Sequence, residues 1–171
     1  MKKTIAIIAI LILSLLLLFS ISCTRIIDGP NNYPNTRWVS EDPEMFFVMG
    51  GEQSWTRAIY GQLSKNGETI ECLVRIYEFG GTIWFDDLSF YDSETGRLLE
   101  GENTGDAILF SGVYWLYEDR LILTDIRDKK DFFPDSITEI VFYREDLTKE
   151  EVQYYYDISF FGRNEFNSRI S

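Results

Sequence analysis

Histidine is absent from this chain of 171 residues, only two cysteines occur, and 16 Lys+Arg face 28 Asp+Glu. Without histidine the chain lacks the commonest general base, the commonest metal ligand and the side chain that titrates nearest neutrality. Ser-His-Asp triads, Cys-His dyads and His-ligated zinc or iron are therefore excluded. The net charge of -12 repels phosphate backbones, so nucleic acid is not an expected partner. Gly50-Gly51 and Gly80-Gly81 are isolated pairs with neither the Lys-Ser/Thr nor the strand-to-helix setting of a phosphate loop, and they read as turns. No cofactor is expected.

The length suits one domain with a short appendage. Lys2 and Lys3 precede an almost unbroken apolar run from Ile5 to Phe19, and Ser20-Ile21-Ser22-Cys23 closes it, which is the order of an export signal. The closing residues resemble the lipobox of bacterial lipoproteins, with Ser20 where the family more often has leucine. The resemblance implies a signal peptide over 1–22, a diacylated Cys23 at the mature N-terminus, and an extracytoplasmic domain lipid-anchored to the bacterial cell membrane, or to an outer membrane where the host has one. The same residues also fit an uncleaved anchor of about 17 apolar residues or an ordinary secretory signal. Two or three acyl chains hold a membrane stably where one does not. With Cys23 acylated, Cys72 is the sole thiol. It shares a strand face with Ile70, Val74 and Ile76 and reads as a buried structural cysteine.

Residues 23–35 hold the lipidated cysteine and a tether rich in Asn, Pro and Gly, reaching roughly 40 Å when extended. From Thr36, aromatic and β-branched runs alternate with Gly, Asp and Asn, as consecutive antiparallel strands do. The candidates are 36–40, 45–49, 54–64, 69–79, 81–86, 88–91, 107–117, 121–127 and 137–144. Lys65-Asn66-Gly67, Gly80-Gly81, Asp92 to Gly96 and Glu118-Asp119 supply hairpin turns. Thr148-Lys149-Glu150-Glu151 is a capping-box pattern, followed by Val152, Tyr155, Tyr156 and Ser159 or Phe160 at helical spacing, with Gly162 as a stop. An up-and-down meander over 36–146 closing into a barrel of about eight strands, with a short helix and tail over 147–171 packed on it, hides its faces and edges best.

Thr36-Arg37-Trp38 on the first strand and Phe142-Tyr143-Arg144 on the last resemble the two ends of a lipocalin, or more broadly calycin, barrel. That family has glycine where Thr36 stands. The resemblance implies that Arg144 covers Trp38 and closes the barrel floor, a contact worth about 0.5–2 kcal/mol.

Catalysis without histidine would rest on carboxylates: Asp86 with Asp87, Glu100 with Glu102, or Asp125, Asp128, Asp131 and Asp135. Adjacent strand residues face opposite ways, so Asp86 and Asp87 are badly placed to cooperate. Solvated turn residues are the expectation for each group. Asp92 to Gly96 fails the calcium-loop pattern, since Gly96 is fifth and position twelve is Asn103. The 4 Trp, 10 Tyr and 13 Phe point instead to a non-catalytic binding module for a small apolar or aromatic ligand. The alternatives are an envelope protein-interaction or structural lipoprotein using its acidic outer face, and a carboxylate-dependent glycan hydrolase.

Overall fold

The computed structural model describes residues 29–50, 58–77, 80–93, 95, 97–134 and 136–159. Eight strands follow one another: β1 (Thr36–Glu41), β2 (Glu44–Met49), β3 (Tyr60–Lys65), β4 (Glu68–Tyr77), β5 (Thr82–Asp87), β6 (Ile108–Leu116), β7 (Arg120–Asp128) and β8 (Ile140–Asp146). A single-turn helix α1 (Thr104–Ala107) precedes β6, and α2 (Lys149–Ile158) follows β8. Each strand pairs antiparallel with the next and β8 returns to β1, closing the barrel. This is the expected fold, a mainly β up-and-down barrel with one short C-terminal helix, and it is consistent with a small lipocalin-like barrel.

Period-two alternation drives the closure. In β1 the inward residues Thr36, Trp38 and Ser40 are buried while Arg37 and Val39 are half-exposed, and Met45, Phe47 and Met49 repeat the pattern in β2. The inward rings meet across the lumen. Phe85 of β5 stacks on Phe110 of β6 at 4.3 Å and lies 6.2 Å from Phe142 of β8. Phe47 of β2 meets Phe142 edge-on at 5.4 Å. An eight-stranded barrel is just wide enough for side chains to fill, and here they are phenylalanines. Each buried ring contributes about 1.5–3 kcal/mol of apolar burial, and each well-placed ring pair about 0.5–1.5 kcal/mol more.

Both central residues of the β3–β4 turn, Asn66 and Gly67, have positive φ, the backbone that Asn-Gly hairpin turns require. Gly112 sits where the β6–β7 register shifts, and a Cβ there would fall 2.7 Å from the Leu123 side chain.

Leu88–Tyr91, expected as a ninth strand, instead opens with a 3-10 turn over Leu88–Phe90. The Asp87 side chain accepts the Ser89 N–H at 2.8 Å and turns the chain off the wall, a local bond that competes with the ladder. The expected strand from Ser54 starts at Tyr60 among the described residues, and 54–57 lie outside them. Ala58 and Ile59 already donate to Val74 and Val48. The tether ends earlier than expected: Pro30–Asn32 form a 3-10 turn, and Tyr33 packs edge-on against Trp38 at 5.9 Å. The capping box on α2 is formed, with Thr148 and Glu151 bonded reciprocally. The helix ends at Ile158, and Gly162, Phe160 and Phe161 lie outside the described residues, as does Cys23.

Candidate functional site

The lumen is lined by buried side chains of its own strands. At the end where the chain enters β1, Trp38 is fully buried and its Nε1 donates to Thr36 Oγ1 at 3.0 Å. Trp38 and Arg144 are cross-strand partners in the β1–β8 ladder. The ring beneath the guanidinium is Tyr33, 5.0 Å from the Arg144 carbon, and Tyr33 in turn meets Trp38 edge-on. Arg144 also donates to the Glu118 carbonyl at 2.6 Å and stands 3.3 Å from Asp146. At the far end, Phe132 and Phe133 of the β7–β8 connection close on Phe110, and Lys65 lies 4.3 Å over Phe132.

A concavity lies on the outside. A groove of about 620 Å³ opens between the β1–β8 seam and α2, lined by Arg37, Glu145, Asp146, Leu147, Glu150, Glu151, Tyr154 and Tyr155. The pairing of first and last strands sets Arg37 beside Glu145, and its Nε donates to Glu145 Oε2 at 2.7 Å. Nη1 donates to the Tyr155 hydroxyl at 2.8 Å, which ties helix to wall. Burial works to lower the Arg37 pKa, but its bonds to Glu145 and Tyr155 outweigh it and hold the guanidinium above its ordinary value.

The helix is placed by an apolar stripe. Val152, Tyr155, Tyr156 and Ile158 pack on Val48, Ile59 and Tyr60, with Phe46 alongside. Leu147 donates its N–H to the Asn35 carbonyl at 2.8 Å, fixing the exit from β8. The Thr148 N–H and hydroxyl both reach Glu151 Oε2, and these bonds lower the Glu151 pKa. Tyr154 stands 60% exposed on the rim. Four carboxylates against one guanidinium make the lining acidic, and that guanidinium is already committed to Glu145.

Of the carboxylates singled out as candidates, Asp86 departs from the solvated expectation. It is fully buried on the outer side of β5 and accepts from Arg75 Nη2 and the Tyr91 hydroxyl, both at 2.8 Å. Arg75 Nε lies 2.7 Å from Asp86 Oδ2 but off the hydrogen-bond direction, so that contact is charge alone. Burial opposes the charge on Arg75, and Asp86 more than offsets it, so its pKa is raised.

The remaining candidates shape turns. Asp87 caps the 3-10 turn, Asp128 accepts the Lys130 and Phe133 N–H groups, and Asp92 accepts from Thr95. Asp125 and Asp131 have positive φ and are exposed, as are Glu100 and Glu102. Asp135 lies outside the described residues. Among the described residues no three acidic or cysteine side chains converge to hold a metal ion. Cys72 is buried in the wall of β4, and burial followed by the charge of Asp87 pushes its thiol well above the ordinary value. No described helix is long and apolar enough to cross a membrane.

Reading the sequence alone misses the groove. Arg37 and Glu145 are 108 residues apart and meet only because the barrel closes. The Arg75–Asp86 pair spans one hairpin and would follow from the β4–β5 register, in which Arg75 opposes Trp84, two residues before Asp86. No family model, no curated protein and no solved structure matches the chain.

Proposed function

We infer that this chain is a lipid-anchored, extracytoplasmic interaction module without catalysis, in which the barrel is a rigid scaffold and the outer groove takes a basic segment of an envelope protein. The observation that carries the reading is the division of space. Large rings occupy the lumen, while the acidic, tyrosine-rimmed hollow lies between β8, β1 and α2. Carboxylates there favour Lys or Arg, and an exposed tyrosine face adds a cation–π contact of about 0.5–1 kcal/mol. The lipobox resemblance at Cys23 supports the anchor and the compartment.

The test is titration of the labelled domain with Lys/Arg-rich peptides and charge-matched acidic peptides, followed by NMR. Shifts confined to Arg37, Glu150 and Tyr154, lost in Glu150→Lys and weakened at about 0.5 M salt, are the expected result. Equal binding of both peptide classes, or no change in Glu150→Lys, rejects the reading. Acylation is tested separately by the mass of the peptide carrying Cys23, which Cys23→Ser abolishes.

A small apolar ligand is the second reading, favoured by Phe132 and Phe133. These rings come from a connection and not from the wall, so a ligand displacing them would gain the contacts to Phe110 that they now make. It requires a saturable signal from a fluorescent apolar probe, and the absence of one ends it.

A further inference from the structure

The outer wall has three sectors. Helix α2 covers β2 and β3, and the β5–β6 connection lies against β4 and β5 through its 3-10 turn and Tyr91. The third is formed by β6, β7, β8 and β1 and carries Trp115, 37% exposed, and Tyr143, 57% exposed, with Tyr117 of the β6–β7 turn, 46% exposed, at its end. Cross-strand pairing joins them into one surface. Trp115 opposes Ile122, Ile122 opposes Val141, and Tyr143 lies between Arg120 and Val39. Arg120 and Arg37 stand at its edge, with Glu118, Asp119 and Glu145 at the barrel end where the chain enters.

The first described residues lie at that same end. Gly29 and Pro30 are buried, and the turn from Pro30 to Asn32 leads directly into β1. Six residue steps separate Cys23 from Gly29, a span of at most about 20 Å. An anchor at Cys23 therefore keeps the entry end of the barrel at the bilayer surface, with strands β1, β8, β7 and β6 beside the point of attachment.

We propose that the β6–β7–β8–β1 face, centred on Trp115, Tyr117 and Tyr143, rests in the headgroup region of the bilayer that carries the lipid anchor. The proposal builds on the anchoring reading above. Trp and Tyr prefer that depth because an apolar ring and a polar tip suit a boundary that is apolar on one side and wet on the other. The attachment point favours a lipid surface over a protein, since an anchor at most about 20 Å away holds this end of the barrel against the bilayer. The carboxylates at the rim make neutral headgroups the better surface, since anionic lipid repels them.

The full chain is reconstituted in phosphatidylcholine vesicles in which part of the lipid carries brominated acyl chains, which quench nearby tryptophan. Quenching of a distinct fraction of the emission is expected. That fraction should disappear in Trp115→Phe, fall at least two-fold in Tyr143→Glu, and weaken when phosphatidylglycerol replaces half the lipid. Quenching unchanged by Trp115→Phe overturns the proposal, and so does a protein crosslinked to Tyr143 in intact envelopes when bromolipid leaves Trp115 unquenched. The mass of the Cys23 peptide separates the two readings. An unmodified Cys23 removes the acyl anchor, while Trp115 quenching on the same vesicles still supports the face.

Discussion

The inside and the outside of the barrel wall solve different problems with the same residue types. Inside, Phe47, Phe85, Phe110 and Phe142 meet from strands on opposite sides, and no ion pair of the described residues lies among them. Outside, Phe46, Tyr60 and Tyr155 form a second, smaller ring cluster that fixes α2, and the buried Asp86 with its half-buried partner Arg75 lies on this side as well. The lumen thus supplies stability that does not discriminate among partners, and the features able to discriminate are sorted to the exterior. If that division holds, substitutions within the wall should change stability without moving surface chemistry, and substitutions on the exterior should do the reverse.

The largest expected effect is in the lumen. Phe85→Ala removes a ring that contacts Phe47, Phe110 and Phe142, and a cost of about 3–5 kcal/mol follows for a large-to-small change in a core that cannot collapse. Urea unfolding measures it. A cost below about 1 kcal/mol would mean a loosely filled lumen and would break the comparison. Next comes Asp86→Ala, which leaves the Arg75 charge without its buried partner. Breaking such a pair costs about 3–5 kcal/mol, and the partial exposure of Arg75 places this one at about 3 kcal/mol or less. The double variant Arg75→Met/Asp86→Leu should recover most of it, because the pair repays little beyond its own desolvation. A double variant no more stable than Asp86→Ala would show that the pair positions the β5–β6 connection in a way apolar residues cannot.

Legibility divides along the same line. The lumen is readable because period-two alternation in segments such as Thr36–Ser40 and Met45–Met49 assigns faces without knowledge of partners. Asn66-Gly67 and the Thr148–Glu151 box announce a turn and a helix start through local chemistry. The exterior is less readable because its contacts are made by closure and by folding back. Arg37 meets Glu145 across the seam, Asp86 is bonded by both Arg75 and a Tyr91 that returns to it from the next connection, and Tyr33, in a segment whose composition reads as tether, becomes the ring under Arg144. Leu88–Tyr91 shows how composition misleads: its apolar residues suit a strand, yet the Asp87 side chain captures the Ser89 N–H and starts a turn.

A smaller effect is expected at the cap of α2. Thr148→Ala removes a side chain that accepts the Glu151 N–H, at a cost of about 1 kcal/mol, and should loosen the groove before the barrel. The Glu151 carboxylate provides a pH readout of the same element. Its folded-state pKa lies below the ordinary carboxylate value because of the bonds from Thr148, so its contribution is present above the unfolded value and is lost as pH falls through the folded one. Helical circular dichroism followed from pH 6 to about 3 should show an acid-side loss that Glu151→Gln flattens. An identical acid limb in that variant would assign the transition to other carboxylates.

The smallest effect on stability is expected on the third sector of the wall, and there the comparison is sharpest. Trp115→Ser exchanges the indole for a hydroxyl at an outward position of β6. The Trp115 Nε1 hydrogen bond to Thr124 Oγ1 is long, at 3.2 Å, and exposed. A side chain 37% exposed gives up less than a core ring, and a cost at or below the common value of about 1 kcal/mol is expected, so the urea midpoint should move only slightly. A loss of 2 kcal/mol or more, on the scale expected of a buried group, would make Trp115 part of the packing, and its exposure would then carry no information about what the face meets. A stable Trp115→Ser chain that nonetheless associates less with neutral vesicles would separate the two roles of aromatic residues in this protein, filling the lumen and meeting the surroundings.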